Sequence, residues 1–177
     1  MSEMLVQAYC QDRGISMVFA SGLGRSLYKR VTIETFNEQL DAMCASFKAL
    51  IDEYKPSSVT VVAGSRYSML AAIIAPRINP DKLLVASPVT HLPASGNEDR
   101  GDSDAGVALV EHMRAMLPTE LQDMLTCLKD WSKTNKLHIV YSTTTRADVR
   151  NSQRMQGLEN VKLYTRRPAG RATTPCR

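Results

Sequence analysis

The stretch "VTVVAGSRYSMLAAIIAPRI", Val59 to Ile78, decides the fold because its hydrophobic pattern changes at a single bend. Its first residues, "VTVVA", form the short β-branched run that is typical of a buried strand. From Arg66 onward the apolar residues suit a helix that ends near Pro76. A strand that leads through Ala63-Gly64-Ser65 straight into a helix indicates the βα unit of an α/β protein.

The same alternation continues along the chain. Further strands are predicted at "KLLVAS" (82–87), "LHIVYS" (137–142) and "VKLYT" (161–165), and helices at 33–54, 104–117, 119–133 and 147–156. Near the start, "MLVQAY" (4–9) and "ISMVFA" (15–20), joined by "CQDRG", predict a β-hairpin. We therefore expect one α/β domain over residues 1–165. It is predicted to be three-layered, with a mostly parallel sheet of about five strands plus an antiparallel N-terminal edge strand.

Composition narrows the class of protein. Of the 177 residues, 44% are apolar and 23% are charged, as in an ordinary globular domain. No run of eighteen apolar residues predicts a membrane span, and the first residues lack a signal pattern, so we expect a cytoplasmic protein. The four cysteines are Cys10, Cys44, Cys127 and Cys176, and their wide spacing indicates neither a metal site nor a disulfide framework.

Charge is concentrated at the C-terminus. The net charge is +4, and the last twelve residues, "RRPAGRATTPCR" (166–177), carry four arginines and no acid. This pattern predicts a flexible basic tail. No basic patch interleaved with aromatic residues indicates a nucleic-acid partner. No cofactor is predicted, and the sequence leaves homo-oligomerisation open.

Candidate site residues follow from the rule that ligands bind at the carboxyl ends of parallel strands. Those ends are predicted at Ser21-Gly22-Leu23-Gly24-Arg25, Gly64-Ser65-Arg66, Ser87 to His91, and Thr143 to Asp148. The third of these opens a long loop, 87–103, that is a candidate lid or specificity loop.

Three of these segments resemble parts of the α/β-hydrolases, in the same order along the chain. The nucleophile elbow of that family is similar to "VTVVAGSRYSMLAA", and the strand that follows it is similar to "KLLVASPVTHL". Its acid-bearing strand, the next helix and the last strand are similar to "LHIVYSTTTRADVRNSQRMQGLENVKLYT". The resemblance implies an ester or acyl hydrolase of that fold, acting on a small molecule. The family elbow is G-x-S-x-G, whose glycines let strand and helix crowd the serine. One alignment gives Ala63-Gly64-Ser65-Arg66-Tyr67 and makes Ser65 the nucleophile. The other gives Gly64-Ser65-Arg66-Tyr67-Ser68 and puts Arg66 there, which would inactivate the elbow.

The resemblance also implies an acid and a base. Asp148, six residues beyond Ser142, matches the acid that orients the histidine of a triad. No histidine follows the last strand. Of the three histidines, His112 is predicted on a helix and His138 within a strand, so His91 is the candidate base. The loop Ser21-Gly22-Leu23-Gly24 matches the family's oxyanion loop in position.

Three hypotheses therefore stay open. The first is a serine hydrolase that uses Ser65, Asp148 and His91. The second is an inactive relative that binds a partner or an anionic ligand, because Arg25, Arg66 and Arg146 are all predicted at the carboxyl edge and guanidinium groups suit carboxylates and phosphates. The third is a flavodoxin-like or Rossmann-like nucleotide binder, for which the bare G-x-G at Gly22 and Gly24 is an incomplete fingerprint.

Overall fold

A computed structural model of the chain describes residues 10–16, 33–65, 67–91, 111, 114–144 and 146–166. By its internal contacts the chain divides into two compact units, Met1–Val31 and Thr32–Arg177. The single domain that the sequence predicts over 1–165 stays a prediction. Of the first unit only residues 10–16 are described. Most of the predicted basic tail, 167–177, also lies outside the described residues.

The described part of the first unit is a helix end. Cys10 and Gln11 are helical, and Gly14, with a φ of 62°, follows them. Gly14 N–H donates to Gln11 O at 3.1 Å, and Ile15 N–H donates to Cys10 O at 2.9 Å. These two bonds around a left-handed glycine form the Schellman motif that ends helices. The connector predicted as a hairpin turn is therefore a helix terminus. The predicted strands 4–9 and 15–20 lie outside the described residues except for residues 15 and 16, which are not in a strand.

Among its described residues, the second unit contains four α-helices whose bounds are defined and four strands. In chain order these are α1 (Ile33–Tyr54), β1 (Thr60–Gly64), α2 (Tyr67–Ile78), β2 (Lys82–Ala86), α3 (Met124–Leu128), β3 (Lys136–Ser142), α4 (Arg146–Arg154) and β4 (Val161–Arg166). Short 3-10 turns lie at Thr119–Gln122, Trp131–Lys133 and Met155–Gly157.

The four strands form one sheet in the order β1-β2-β3-β4, and every neighbouring pair is parallel. The α/β class and the parallel sheet that the sequence predicts are confirmed. A fifth parallel strand and an antiparallel edge strand are not seen among the described residues, because the segments predicted for them fall almost wholly outside.

The strand order also determines where the helices lie. Connections between parallel strands are right-handed in nearly all proteins. Because the order 1-2-3-4 steps in one direction only, right-handed connections put every connecting segment on the same face. Burial agrees: Leu83, Val85, Leu137 and Ile139, which share one face, are fully buried, whereas Val62 on the other face is 64% exposed. The described residues thus show two layers where the sequence predicts three.

The core lies between the sheet and its helices. Its largest fully buried side chains come from both layers; they are Phe36, Leu40, Met69, Leu83, Val85, Met124, Leu128, Leu137, Ile139 and Met155. Helix α1 has the bounds that its apolar spacing predicts. Helix α2 continues past Pro76 to Ile78, because a proline in the last turn removes only one internal hydrogen bond.

The helix predicted over 119–133 is wrong, since the segment breaks at Asp123. The backbone of Asp123 is extended, with φ −130° and ψ 121°, and forms a bridge with His91. Its Oδ1 atom accepts a 3.0 Å hydrogen bond from Leu125 N–H, which caps α3. A tertiary backbone pairing together with a side-chain cap overrides the helical periodicity here.

A matched pair of valines tests the assignment of the two faces. Val85 is fully buried and Val62 is 64% exposed, and both lie in parallel strands. We expect Val85→Ala to lower the free energy of unfolding by about 2–3 kcal/mol through lost burial and a residual cavity. Val62→Ala should cost less than about 1 kcal/mol, mainly through strand propensity. Urea unfolding measures both, and equal losses would contradict the assignment.

Candidate functional site

Ser65 lies at the bend between β1 and α2, at the carboxyl edge of the sheet. Its N–H donates to Ala86 O of the neighbouring strand at 2.8 Å, and its φ is 50°. Only a few per cent of residues other than glycine adopt a positive φ, so this backbone is strained. The serine is exposed. A strained, exposed serine after a parallel strand is the feature that a nucleophile elbow requires.

The close approach behind this bend occurs at Ser68, not at Tyr67. Ser68 is fully buried, and its Oγ accepts a 2.8 Å hydrogen bond from Val89 N–H. The same Oγ lies within hydrogen-bond distance of Ser65 O and Val89 O. Tyr67 is 37% exposed. The position where the start of α2 is crowded by neighbouring backbone is therefore Ser68, which is the last glycine of the elbow motif only in the alignment that puts Arg66 at the nucleophile position.

Asp148 lies in the first turn of α4 and connects it to two strand ends. Its Oδ2 atom accepts a 2.9 Å hydrogen bond from Ser87 Oγ, directly after β2, and a 3.3 Å bond from Ser142 N–H at the end of β3. A carboxylate near a helix N-terminus is also favoured by the helix dipole. Among the described residues, then, the candidate acid bonds a hydroxyl and a backbone amide, not an imidazole.

The segment that leaves β2, residues 87–91, is held by a buried polar network. Asn151 on α4 donates through Nδ2 to Pro88 O at 2.9 Å and accepts from Thr90 Oγ1 at 3.1 Å. Thr90 O in turn accepts from Met124 N–H at 2.9 Å. Asn151 and Thr90 are buried, so each lost bond would leave an unsatisfied polar group. The network therefore fixes the position of this segment against α3 and α4.

His91 is not brought to Asp148. Its Nδ1 lies 3.4 Å from Thr90 Oγ1, and its backbone pairs with Asp123. Asp123 Oδ2 accepts a 2.8 Å ion-paired hydrogen bond from Arg154, at the far end of α4. Arg154 and Asp148 are six positions apart, which corresponds to about 9 Å along a helix. The ring of the predicted base thus contacts Thr90, and no hydrogen bond joins it to Asp148 among the described residues.

His138 is far from the carboxyl edge of the sheet. It lies four residues before the end of β3, about 13 Å along a strand. Its ring packs against Tyr164 with ring centroids 5.5 Å apart. Burial, with the charges of Lys82, Lys162 and Lys136, lowers the pKa of His138. The ring is therefore neutral near pH 7, which suits a structural residue within the sheet.

Arg146 begins α4 at the same edge as Ser65 and Asp148, and it is exposed. Beside it, Ser142 Oγ and Thr144 Oγ1 are 2.6 Å apart, and Thr144 N–H donates to Ser142 Oγ at 3.2 Å. These bonds shape a compact turn between β3 and α4. Among the described side chains, the edge therefore presents these hydroxyl groups and the guanidinium group of Arg146 to solvent.

Several predicted site residues lie outside the described residues. They are Ser21, Gly22, Leu23, Gly24, Arg25 and Arg66, together with His112 and most of the loop 87–103.

The sequence predicts Ser87 at this edge, as the start of the segment Ser87 to His91, but it does not predict the hydrogen bonds of Ser87, Ser68 and Asn151. Ser87 has a φ of 49°, so it repeats the strained geometry of Ser65 one strand further on. The sequence signal for Ser87 was its place directly after a strand. The signal for Ser68 was its place as the last residue of the second elbow alignment. Asn151 carried none, because polar residues on a helix are ordinarily exposed.

The described cysteines Cys10, Cys44 and Cys127 are free thiols. Burial raises the pKa of Cys127 to about 11 and also raises that of Cys44, so both are protonated near neutral pH. Within the described ranges, no group of three or more metal-ligating side chains could hold a metal ion. No helix in this part of the chain is both long enough and apolar enough to cross a membrane.

Comparison with protein-family models, with curated proteins and with solved structures finds no match for the chain.

A double-mutant cycle tests whether the hydrogen bond between Ser87 and Asp148 stabilises the carboxyl edge of the sheet. Ser87→Ala, Asp148→Ala and the double variant should give a coupling energy of about 1–3 kcal/mol, because a part-buried hydroxyl-to-carboxylate bond is charge-assisted. The matched control is the exposed pair Lys133 and Asp130, 2.7 Å apart, whose coupling should be smaller because solvent screens it. Urea unfolding measures each cycle. Equal coupling energies in the two cycles would contradict this stabilising role.

Proposed function

We propose that this chain is a catalytically inactive protein of α/β-hydrolase-like architecture that binds a small anionic ligand at the carboxyl edge of its sheet. The observation that carries the proposal is the bonding of Asp148. Its Oδ2 atom is held by Ser87 Oγ and Ser142 N–H, so the carboxylate stabilises the edge where a triad acid would orient an imidazole.

The position of Ser68 supports the same conclusion. The elbow motif needs a small residue where helix and strand approach each other closely, and the buried residue there is Ser68. Aligning the motif on Ser68 puts Arg66 in place of the nucleophile. An arginine cannot act as an acyl acceptor, because its guanidinium group stays protonated in proteins. It can, however, bind a carboxylate or phosphate with paired hydrogen bonds.

Anions are the ligand class that this edge suits. Arg146 is exposed beside the hydroxyl groups of Ser142 and Thr144, and the alignment adds Arg66 at the neighbouring bend. A guanidinium group with nearby hydroxyl donors matches the acceptor oxygens of a phosphate or carboxylate.

Substitution of the two arginines tests anion binding. With inorganic phosphate and citrate as probes in an NMR titration, Arg66→Ala and Arg146→Ala should each raise the Kd about 10- to 100-fold, because one charge-assisted hydrogen bond contributes about 1.5–3 kcal/mol. Ser65→Ala should leave the Kd unchanged. Lys129→Ala, at an exposed residue remote in sequence, is the control for net charge. An unchanged Kd in both arginine variants would overturn the proposal.

A serine ester or acyl hydrolase is the second candidate function, and the backbone of Ser65 favours it. Its positive φ and exposure at the strand-to-helix bend are what a nucleophile on an elbow needs.

A fluorophosphonate probe separates the two functions. We expect no labelling of the wild-type protein, because no described histidine approaches Asp148 to form a triad. Intact-protein mass spectrometry gives the result directly. Labelling that Ser65→Ala abolishes would establish the hydrolase and contradict the inactive reading. Labelling that survives in Ser65→Ala would identify another nucleophile and contradict both.

A further inference from the structure

The second face of the sheet, opposite the helices, carries a surface that the proposed ligand site does not use. Because successive side chains of a strand point to opposite faces, this face carries the side chains at positions 60, 62 and 64 of β1 and those of their register partners on the other strands. We define the open face by six of the residues on it, the apolar Val62, Leu84 and Tyr164 and the basic Lys82, Lys136 and Lys162. In this face Val62 is 64% and Tyr164 44% exposed.

The register places the six residues of the open face close together. Val62 lies beside Leu84, and Leu84 lies beside His138, which pairs with Lys162. Lys82 and Lys136 are direct partners on β2 and β3. Val62 and Leu84 therefore lie on β1 and β2, whereas Tyr164 lies on β4 at the other edge of the sheet, beside Val140. Lys82 and Lys136 lie at the amino-terminal end of the face, and Lys162 lies in the same row as Val62 and Leu84.

The charges on the open face are unbalanced within the strands. None of the four strands contains an acid, and like charges directly opposite each other on neighbouring strands destabilise a sheet. The adjacent acid Asp81 precedes β2; its Oδ2 accepts a 2.7 Å hydrogen bond from Val59 N–H, and its charge also interacts with that of Lys136. Neither Lys82 nor Lys162 has an acid as its register partner. An outside partner with negative charge would relieve the repulsion among the lysines.

We propose that the open face binds an acidic amphipathic α-helix of a partner protein. Parallel sheets occur almost only with both faces covered, as a rule by helices. Four strands spaced about 4.8 Å apart are about 14 Å wide, which is the length of a helix of about three turns. The apolar stripe of that helix contacts Val62, Leu84 and Tyr164. Its carboxylates pair with Lys82, Lys136 and Lys162.

The exposed apolar side chains of the open face favour a protein helix over a nucleic acid as its partner. Nucleic-acid binding draws its affinity from phosphate contacts to basic groups, and Val62 and Leu84 offer no polar group to a phosphate backbone. An exposed apolar patch with a charged rim is instead typical of a protein interaction site.

The test uses the full chain and synthetic helical peptides of about 18 residues, with leucines at i, i+3, i+4 and i+7 spacing. One peptide carries glutamates on its polar face, and its controls carry glutamines or lysines there. We expect the glutamate peptide to bind with the lowest Kd in fluorescence anisotropy, and about 0.5 M salt to raise that Kd several-fold. Lys82→Glu/Lys162→Glu should raise the Kd at least about tenfold, because two attractions become repulsions.

The matched control is Lys48→Glu/Lys129→Glu, two exposed lysines on helix α1 and after α3, which changes net charge equally and should leave the Kd within about twofold. Val62→Ser should also raise the Kd, which tests the apolar contact separately. Circular dichroism checks that each variant is folded. No binding of the glutamate peptide, equal binding of the glutamate and glutamine peptides, or equal effects of the two double variants would each overturn the proposal. Preference for a DNA duplex over the glutamate peptide would do the same.

Discussion

The hydrogen bonds that hold residues 87–91 are the constraint on which the carboxyl edge depends. This segment leaves β2 and is fixed from three sides: by Asp148 through Ser87, by Asn151 through Pro88 and Thr90, and by Ser68 through Val89. Most of these groups are buried, so breaking any bond leaves an unsatisfied polar atom in a low-dielectric environment. The network joins α2, β2 and α4 and thereby fixes the relative positions of Ser65 and Arg146.

That constraint bears directly on function. A triad acid has to present a carboxylate oxygen to an imidazole, whereas Asp148 presents Oδ2 to Ser87 and to the backbone of Ser142. The same bonds make the edge rigid. Such preorganisation would lower the entropic cost of binding the anion that we propose as the ligand. The open face lies on the sheet surface opposite the helices, so the two proposed binding surfaces are separate.

Local patterns predicted most of the sheet and its first helix, because burial in a parallel sheet demands continuous apolar runs and a packed helix demands 3.6-residue spacing. The rule that ligands meet the carboxyl ends of strands also identified Ser65, Asp148 and Arg146. What failed depended on tertiary contacts. The break at Asp123 comes from its pairing with His91, and the one-sided helical layer follows from strand order, which no single segment of sequence specifies.

The polar network illustrates the same limit at the candidate site. Asn151 lies on a helix whose sequence, "RADVRNSQR", is almost wholly polar, so its periodicity gives no sign that one asparagine is buried. Its role follows only once α4 is packed beside residues 88–90. Likewise, the two alignments of the elbow differ by one residue, and burial at Ser68 favours one of them where the sequence left both open.

The surroundings of Asp148 in a high-resolution crystal structure test the central claim most directly. The account predicts Ser87 Oγ within hydrogen-bond distance of an Asp148 carboxylate oxygen, as in the 2.9 Å contact seen here, and no imidazole nitrogen bonded to either carboxylate oxygen. A histidine nitrogen within about 3.2 Å of Asp148, with its other nitrogen facing Ser65 Oγ, would contradict it, because that arrangement is the base and acid of a working triad.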